Sequence, residues 1–384
     1  MSLETINGLQ KRDTATTTGA GGIVLNDNFG RISNYYHIDN LLCNGNFRLA
    51  ERQATPSTLT NYADRAFSAD RWIQLQQLDN VQYARNSGTV GSITLPTGST
   101  YWAQLKQTNA STNKWGFLQQ LPNHMTAPLQ GAQVRFQCQV ASTDTNSVRL
   151  AIVQWTGTAD AMTRDIVNDW TSTTYTTGNF FTSTTLSVTV SSATVLTANT
   201  WTNVSLEAAV GSTTTNIAVF IWNSTGSAQN TSLGIAQAML TRAYVTTTAS
   251  SMLPFKENSQ DLDLCRRYFQ KSNDIDAHPS NGTVAGAVKT QVGYVLDDLS
   301  IITRVEFKPR MHTTPTVTIY PIGTPSNTGQ VSNGAGTDFG IATTGAALNT
   351  GSNSFACYNN SGYALLPSDG KILFNWIAEA EIGV

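Results

Sequence analysis

From Val134 to Val140 apolar and polar residues alternate without a break, with Val134, Phe136, Cys138 and Val140 set against Arg135, Gln137 and Gln139. A repeat of two puts one set in a core and the other in solvent, the signature of a half-buried strand. The period recurs in Leu150–Trp155, Leu186–Val190, Thr202–Leu206 and Ile217–Trp222, and turn-rich polar stretches separate the runs. Many short strands joined by such turns make a sandwich or barrel, not a parallel sheet. No segment of residues 40–250 sustains a long helical period, so one β-sandwich is expected there.

Residues 251–384 read as a second β-unit. Ile301, Thr303, Val305 and Phe307 alternate, as do Val317 and Ile319. In the last strand Ile372, Phe374, Trp376, Ala378, Ala380 and Ile382 share one face. Asn375, Glu379 and Glu381 lie on the other, which Leu373 and Ile377 interrupt. A strand apolar on parts of both faces is expected to pack against a partner subunit. Pro321–Gly351 is long, small and polar, the composition of rim loops where binding concentrates.

Between the units lies the stretch 258–270, NSQDLDLCRRYFQ. Glu257, Asp261 and Asp263 crowd its front and Arg266 and Arg267 close it, an order that complements a helix dipole. Ser259 is a candidate N-cap. Leu262, Cys265 and Phe269 fall on one helical face, with Leu264 and Tyr268 beside it. One or two turns of helix are expected, running into a strand near Arg267–Phe269.

A chain of 384 residues has room for two or three domains. Charged residues make up 12%, about half the ~25% of ordinary globular chains, while 40% hydrophobic content opposes disorder. Net charge is −2 with no basic stripe, so nucleic acid is not an expected partner. The opening MSLETINGLQKRDTATTT has no apolar signal region, and no apolar run is long enough to cross a bilayer. Synthesis in a reducing host cytoplasm is expected, without membrane insertion. Cys43, Cys138, Cys265 and Cys357 form no CxxC pair and are expected to be buried free thiols. Residues 1–39 are the least domain-like: Thr14–Gly22 is small and flexible, and a short helix could carry Phe29, Ile32, Tyr35 and Tyr36. That segment is either an attachment arm or an arm packed on its own domain.

The acidic helix followed by Cys265-Arg266-Arg267-Tyr268-Phe269 resembles a short motif of many bacteriophage tail-fibre and other virion-surface proteins. There it follows a jelly-roll domain and opens a C-terminal β-domain. Asn40-Leu41-Leu42-Cys43-Asn44-Gly45-Asn46-Phe47 resembles the opening strand of those jelly rolls, which are similar to carbohydrate-binding modules. Ala69-Asp70-Arg71-Trp72 resembles the strand that follows. Phe307-Lys308-Pro309-Arg310-Met311, then Thr314-Pro315-Thr316-Val317-Thr318, resembles late strands of the C-terminal domain. The resemblance spans residues 40–384. It implies an all-β chain: an N-terminal attachment arm over 1–39, a jelly-roll β-sandwich over 40–250, and a C-terminal β-sandwich domain over 251–384 opened by a short linking helix. It further implies a homotrimeric fibre or spike at the virion surface, displayed on the tail. Such a protein docks to other virion proteins through residues 1–39 and binds a host surface glycan. A head fibre or capsid decoration protein and a polysaccharide depolymerase are the alternatives.

For catalysis the chain has no GxSxG, HExxH, P-loop or GxGxxG, and His37, His124, His278 and His312 are isolated. A depolymerase needs two carboxylates on facing walls. Asp160, Asp165 and Asp169 cluster, and Asp297 and Asp298 adjoin, but neighbouring acids in polar loops are usually only solvated. No catalytic residue is expected. Glycan sites pair an aromatic face with amide and carboxylate hydrogen bonds. Trp170 and Tyr175, flanked by Asn168 and Asp169, are the best candidates, and Trp102 and Trp115 flank a second polar loop. Trp72, Trp201 and Trp376 look like core. For any single tryptophan, packing is the competing reading. Jelly rolls similar to carbohydrate-binding modules often hold calcium near the opening strand with an acid. Arg48 stands there instead, so neither metal nor cofactor is expected.

Overall fold

The computed structural model describes residues 4–6, 9–11, 40–78, 81–109, 112–243, 258–274, 277–282, 284–291, 301–340, 348–358 and 371–383. In the first 39 residues these cover a hairpin of β1 (Glu4–Ile6) and β2 (Leu9–Lys11). The expected helix at Phe29–Tyr36, and Asp297 and Asp298, lie outside the described residues.

The chain then runs through β3 (Thr60–Asn61), β4 (Phe67–Ala69), β5 (Trp72–Gln76), β6 (Val81–Asn86), β7 (Trp102–Gln107) and β8 (Trp115–Leu121). A single-turn helix α1 (Asn123–Thr126) follows. Next come β9 (Gln133–Ser142), β10 (Ser147–Trp155), β11 (Leu186–Val190), β12 (Thr194–Val195), β13 (Thr202–Ala209), β14 (Asn216–Asn223) and β15 (Ser232–Arg242). Two antiparallel sheets result. One is ordered β11-β10-β14-β8-β5-β4, with β12 also on β10; the other is β13-β9-β15-β7-β6-β3. The late strands insert among earlier ones, β14 between β10 and β8 and β15 between β9 and β7, so the chain crosses between sheets as a jelly roll does. The inner face of β9 is the one its alternation marks: Val134, Phe136, Cys138 and Val140 meet Trp72, Phe117, Ile152, Val219 and Ile221 from the facing sheet.

The first sheet is buried on both faces. Along β14 the set Ile217, Val219 and Ile221 points into the sandwich, and Ala218, Phe220 and Trp222 pack outward into a second core. Residues 156–185, nearly without regular structure, lie over that outer face through Met162, Ile166, Val167, Phe180 and Phe181.

Two expected strands take another form. Asn40–Phe47 is a buried irregular segment. Asn44 and Phe47 sit at φ 51° and 54°, which breaks strand geometry. Its polar groups are met locally instead: Asn44 Oδ1 accepts from Leu49 N–H, and Asn40 Oδ1 from Leu42 and Leu240 N–H. Ala69–Trp72 is the turn between β4 and β5, with Arg71 at φ 67°.

The second unit opens with α2 (Asn258–Arg266) and continues through β16 (Phe269–Lys271), β17 (Val288–Gln291), β18 (Ile301–Glu306), β19 (Thr316–Pro321) and β20 (Gln330–Ser332). It ends with β21 (Asp338–Gly340), β22 (Leu348–Thr350), β23 (Ser354–Tyr358) and β24 (Lys371–Glu379). The helix starts at Asn258, so Ser259 lies in its first turn and not at the cap. β24 is the spine: β16, β17, β19 and β20 all pair with it, and a small β18-β23-β22 sheet packs on the same core. Ile372, Phe374, Trp376, Ala378 and Ala380 enter that core together. The second face of β24 is buried too, with Leu373, Asn375 and Ile377 at 9%, 0% and 7% exposure within one chain. The apolar residues on that face therefore need no partner subunit to cover them. Pro321–Gly351 is not one open loop, because β20 and β21 form a hairpin inside it; 341–347 lie outside the described residues.

Charge, scarce elsewhere, is concentrated where the two units meet. Arg52 lies between the rings of Phe67 and Phe269, 4.8 and 4.2 Å from their centroids. It donates to Glu379 at 2.5 Å and Glu381 at 2.6 Å. Arg71 pairs with the other oxygen of Glu381, donates to Gln120 C=O at 2.8 Å and lies 3.7 Å over the Tyr268 ring. Lys271, fully enclosed, donates to the carbonyls of Glu51 and Ala277 at 2.9 and 2.8 Å. Tyr268 and Phe269, which carry the sequence resemblance, are thus the rings on which the arginines of the sandwich rest. Among the described residues no helix is long and apolar enough to cross a membrane.

Candidate ligand-binding site

The outward face of β14 presents Phe220 and Trp222, whose rings stack 4.9 Å apart at 10°. Phe180, brought over by the 156–185 segment, continues the stack on Trp222 at 5.3 Å and 24°. Backbone bonds fix the shape of the segment, Asn168 N–H donating to Phe180 C=O at 2.7 Å and Thr182 N–H to Ile166 C=O at 3.0 Å, and Gln120 of β8 ties it to the sheet by donating to Met162 and Thr163 C=O at 3.2 and 2.8 Å. Trp170 stands nearly perpendicular to this stack, 5.7 Å from Phe180 and 6.3 Å from Phe220. Tyr175 meets Phe180 and Trp222 at 5.1 and 5.7 Å, and the Arg149 guanidinium lies 4.4 Å from its ring centroid. Trp170 and Tyr175 are both half-buried.

The flanking polar residues are exposed. Asn168 Nδ2 donates to Asn179 C=O at 3.0 Å. Asp169 Oδ1 accepts from Thr171 Oγ1 and N–H at 2.7 and 2.8 Å, and these bonds hold its carboxyl below the usual range. It is therefore an anion at neutral pH. Lys114 lies within electrostatic range of Asp169, and its ammonium is made less basic by partial burial. Trp170, Tyr175, Asn168 and Asp169 thus form one surface patch, joined by two cations the sequence does not single out. The position of Arg149 was legible in part. It is out of phase with the inward set Val148, Leu150 and Ile152, and it pairs in register with Trp222.

Trp102 and Trp115 are not part of it. Both are fully buried, so neither has a ring face for a ligand. Trp115 belongs to the inter-sheet core. Trp102 is on the outer face of the second sheet, roofed by the 87–101 loop, where it packs with Ile93 and donates to Gly88 C=O at 3.1 Å. Trp201, expected as core, is half-buried there, edge-on to Trp102 at 5.8 Å. A Cβ on Gly234 would lie 2.9 Å from Trp201 and 3.0 Å from Trp102, so only glycine lets both rings approach the sheet. Beside them Asn86 donates to Gln104 at 2.7 Å, and Gln104 to Ser232 at 2.8 Å.

The clustered acids have separate duties. Asp160 accepts from Asn123 N–H and Asn216 Nδ2, Asp165 pairs with Arg65 at 3.0 Å, and Asp169 closes its own turn.

No family model matches the chain, and no curated protein matches it. Solved structures similar to part of it include the enzymatically active domain of bacteriophage CBA120 tailspike protein 4. That likeness has 12% identity and a TM-score of 0.30, and covers 53% of this chain but only 21% of the tailspike chain. TmCBM61 in complex with β-1,4-galactotriose is similar at 11% identity and TM-score 0.30, over 53% of this chain and 99% of its own. The C-terminal family 22 carbohydrate-binding module of Clostridium thermocellum Xyn10B is similar at 12% identity and TM-score 0.30, over 49% and 96%.

Proposed function

We propose that this chain is a fibre or spike protein of a bacteriophage, displayed at the virion surface on the tail, that binds a host surface glycan without cleaving it. The observation that carries the binding half is the patch of Trp170 and Tyr175, two half-buried rings rimmed by Asn168, Asp169, Lys114 and Arg149. An aromatic face takes the C–H face of a sugar, and the surrounding amides and charges take its hydroxyls. The phage half is supported by the ordered motifs from Asn40 to Thr318. Attachment to other virion proteins is assigned to residues 1–39, and a homotrimer would present the patch three times and gain avidity without new contacts.

The test is attachment of purified protein to host cells and to their extracted polysaccharide. Losing a stacked ring costs on the order of 1–3 kcal/mol, so Trp170→Ala is expected to weaken binding roughly five- to 150-fold with folding intact. Unchanged binding sinks this placement. A second surface is favoured by one observation: the half-buried Trp201, edge-on to Trp102, keeps part of its ring exposed beside the 87–101 loop on the outer face of the other sheet. Loss of binding in Trp201→Ala, and not in Trp170→Ala, would move the site there. Release of reducing sugar from the same polysaccharide would make the protein a depolymerase.

A further inference from the structure

Cys43, Asp261 and Cys265 form a buried cluster in which one ligating atom from each lies within 4.8 Å of the others. The cluster sits at the seam between the sandwich and α2. Asp261 and Cys265 are four residues apart on the helix, so their side chains stand on one face. Cys43 comes from the irregular segment that opens the sandwich.

Each member is held from behind. The N–H of Cys43 donates to Gln119 Oε1 and its C=O accepts from Gln119 Nε2, both at 2.8 Å. That pair of bonds fixes the backbone of a residue in a region without strand pairing. Asn44 N–H donates to both oxygens of Asp261, at 2.9 and 3.0 Å. Hydrogen bonds of this kind orient ligating groups in metal sites.

We propose that Cys43, Asp261 and Cys265 bind a thiophilic divalent cation, Zn2+ foremost, with water as fourth ligand, and that the ion clasps α2 to the sandwich. The donor set selects the metal. Two sulfurs and one carboxylate oxygen suit Zn2+, whereas Ca2+ and Mg2+ take oxygen alone. Tetrahedral Zn2+ with bonds of about 2.3 Å to sulfur and 2.1 Å to oxygen sets its ligands about 3.5–3.8 Å apart, within the span of this cluster. Without the ion the two thiols face each other across a hydrogen bond. Binding therefore releases two protons to solvent, one from each thiol, with no change of oxidation state. The proposal is independent of the glycan reading, since this seam is buried and outside the aromatic patch.

The experiment is titration of reduced, full-length protein with Co2+ under anaerobic conditions, followed by Zn2+. A thiolate-to-cobalt charge-transfer band is expected that saturates at one ion per chain and disappears as Zn2+ displaces cobalt. Cys43→Ser combined with Cys265→Ser should abolish the band, and Asp261→Asn should weaken it about tenfold or more. Because the double variant could misfold, a second measurement uses the unmodified chain. Zn2+ should protect Cys43 and Cys265 from alkylation, mapped by peptide mass spectrometry, while the labelling of Cys138 and Cys357 does not change. Absence of the thiolate band from the reduced protein overturns the proposal. So does equal alkylation of Cys43 and Cys265 with and without Zn2+, which would leave the cluster as packed thiols.

Discussion

At the scale of single residues the clearest contrast is between two kinds of ion pair. Glu381 is 4% exposed and holds both Arg52 and Arg71, themselves 7% and 3% exposed. Removing this shared buried partner leaves the desolvated Arg71 without its carboxylate and Arg52 with Glu379 and Asp70, a loss of roughly 3–5 kcal/mol. Glu381→Gln should therefore lower the urea midpoint sharply. Arg65 and Asp165 are 51% and 47% exposed, and a pair so well hydrated contributes about 1 kcal/mol at most. Asp165→Asn should leave the midpoint nearly unmoved, and a large shift there would contradict this assignment.

Among the elements, β8 and the 156–185 segment place the candidate site. β8 lies between β14 and β5 and is buried along its whole length, so nothing beside it can yield. A Cβ on Gly116 would fall 2.2 Å from Ile221 C=O and 2.7 Å from Trp222 Cβ. Gly116→Ala should cost at least about 1–3 kcal/mol through overpacking. It should also weaken glycan binding, because Trp222 supports both Phe180 and Tyr175. A variant with wild-type stability would show that the sheet can open at this point. Phe180 is the other support of the patch, touching Trp170, Tyr175, Phe181 and Trp222. Phe180→Ala should cost roughly 3–5 kcal/mol and release Trp170 from its upright position.

Across the whole molecule the joint couples the two β-units. Arg52, Arg71, Lys271 and Glu381 each bridge them, so calorimetry should show one unfolding transition, and Glu381→Gln should divide it into two. Two histidines meet at the same joint: His312 packs 5.9 Å from His124 and 5.1 Å from Tyr268, and lies 3.5 Å from Asp160. Burial lowers both imidazoles from their ordinary 6.5; Arg267 adds to this at His124, and Asp160 opposes it at His312. Burial also takes His278 down to about 4. Below pH 6.5 the unfolded chain therefore binds protons that the folded chain refuses. Stability should be complete above that pH and fall as the pH drops toward 4, by at most ~1.4 kcal/mol per pH unit for each proton taken up. Asp70, raised by burial, works in the opposite direction at the acid end. A melting temperature that does not change between pH 7 and 5, or that shifts equally in His124→Gln/His312→Gln, would rule out these two groups.

Local pattern alone determined β9, β10, β11, β13 and β14 of the sandwich and the core face of β24, because side chains on a strand alternate with a period of two whatever surrounds them. It also located the helix Asn258–Arg266 within the stretch 258–270, where dipole-matched charges and apolar spacing agree. Which tryptophans are exposed was not legible. Trp102 and Trp170 both sit beside polar stretches, and only the 87–101 loop folding over one sheet and the 156–185 segment over the other decide that the first is enclosed and the second half-open. The second face of β24 misled in the same way: apolar residues there suggested a partner subunit, yet the chain's own fold covers them. The Asn40–Phe47 segment escaped because positive φ angles and side-chain hydrogen bonds replace the strand its apolar residues suggest. The patch, the joint and the cysteine cluster all draw on residues far apart in sequence, such as Cys43 with Cys265 and Arg71 with Glu381. No local period carries such pairs; the patch exists only once the sandwich has folded, and the joint and the cluster only once the two β-units close on each other.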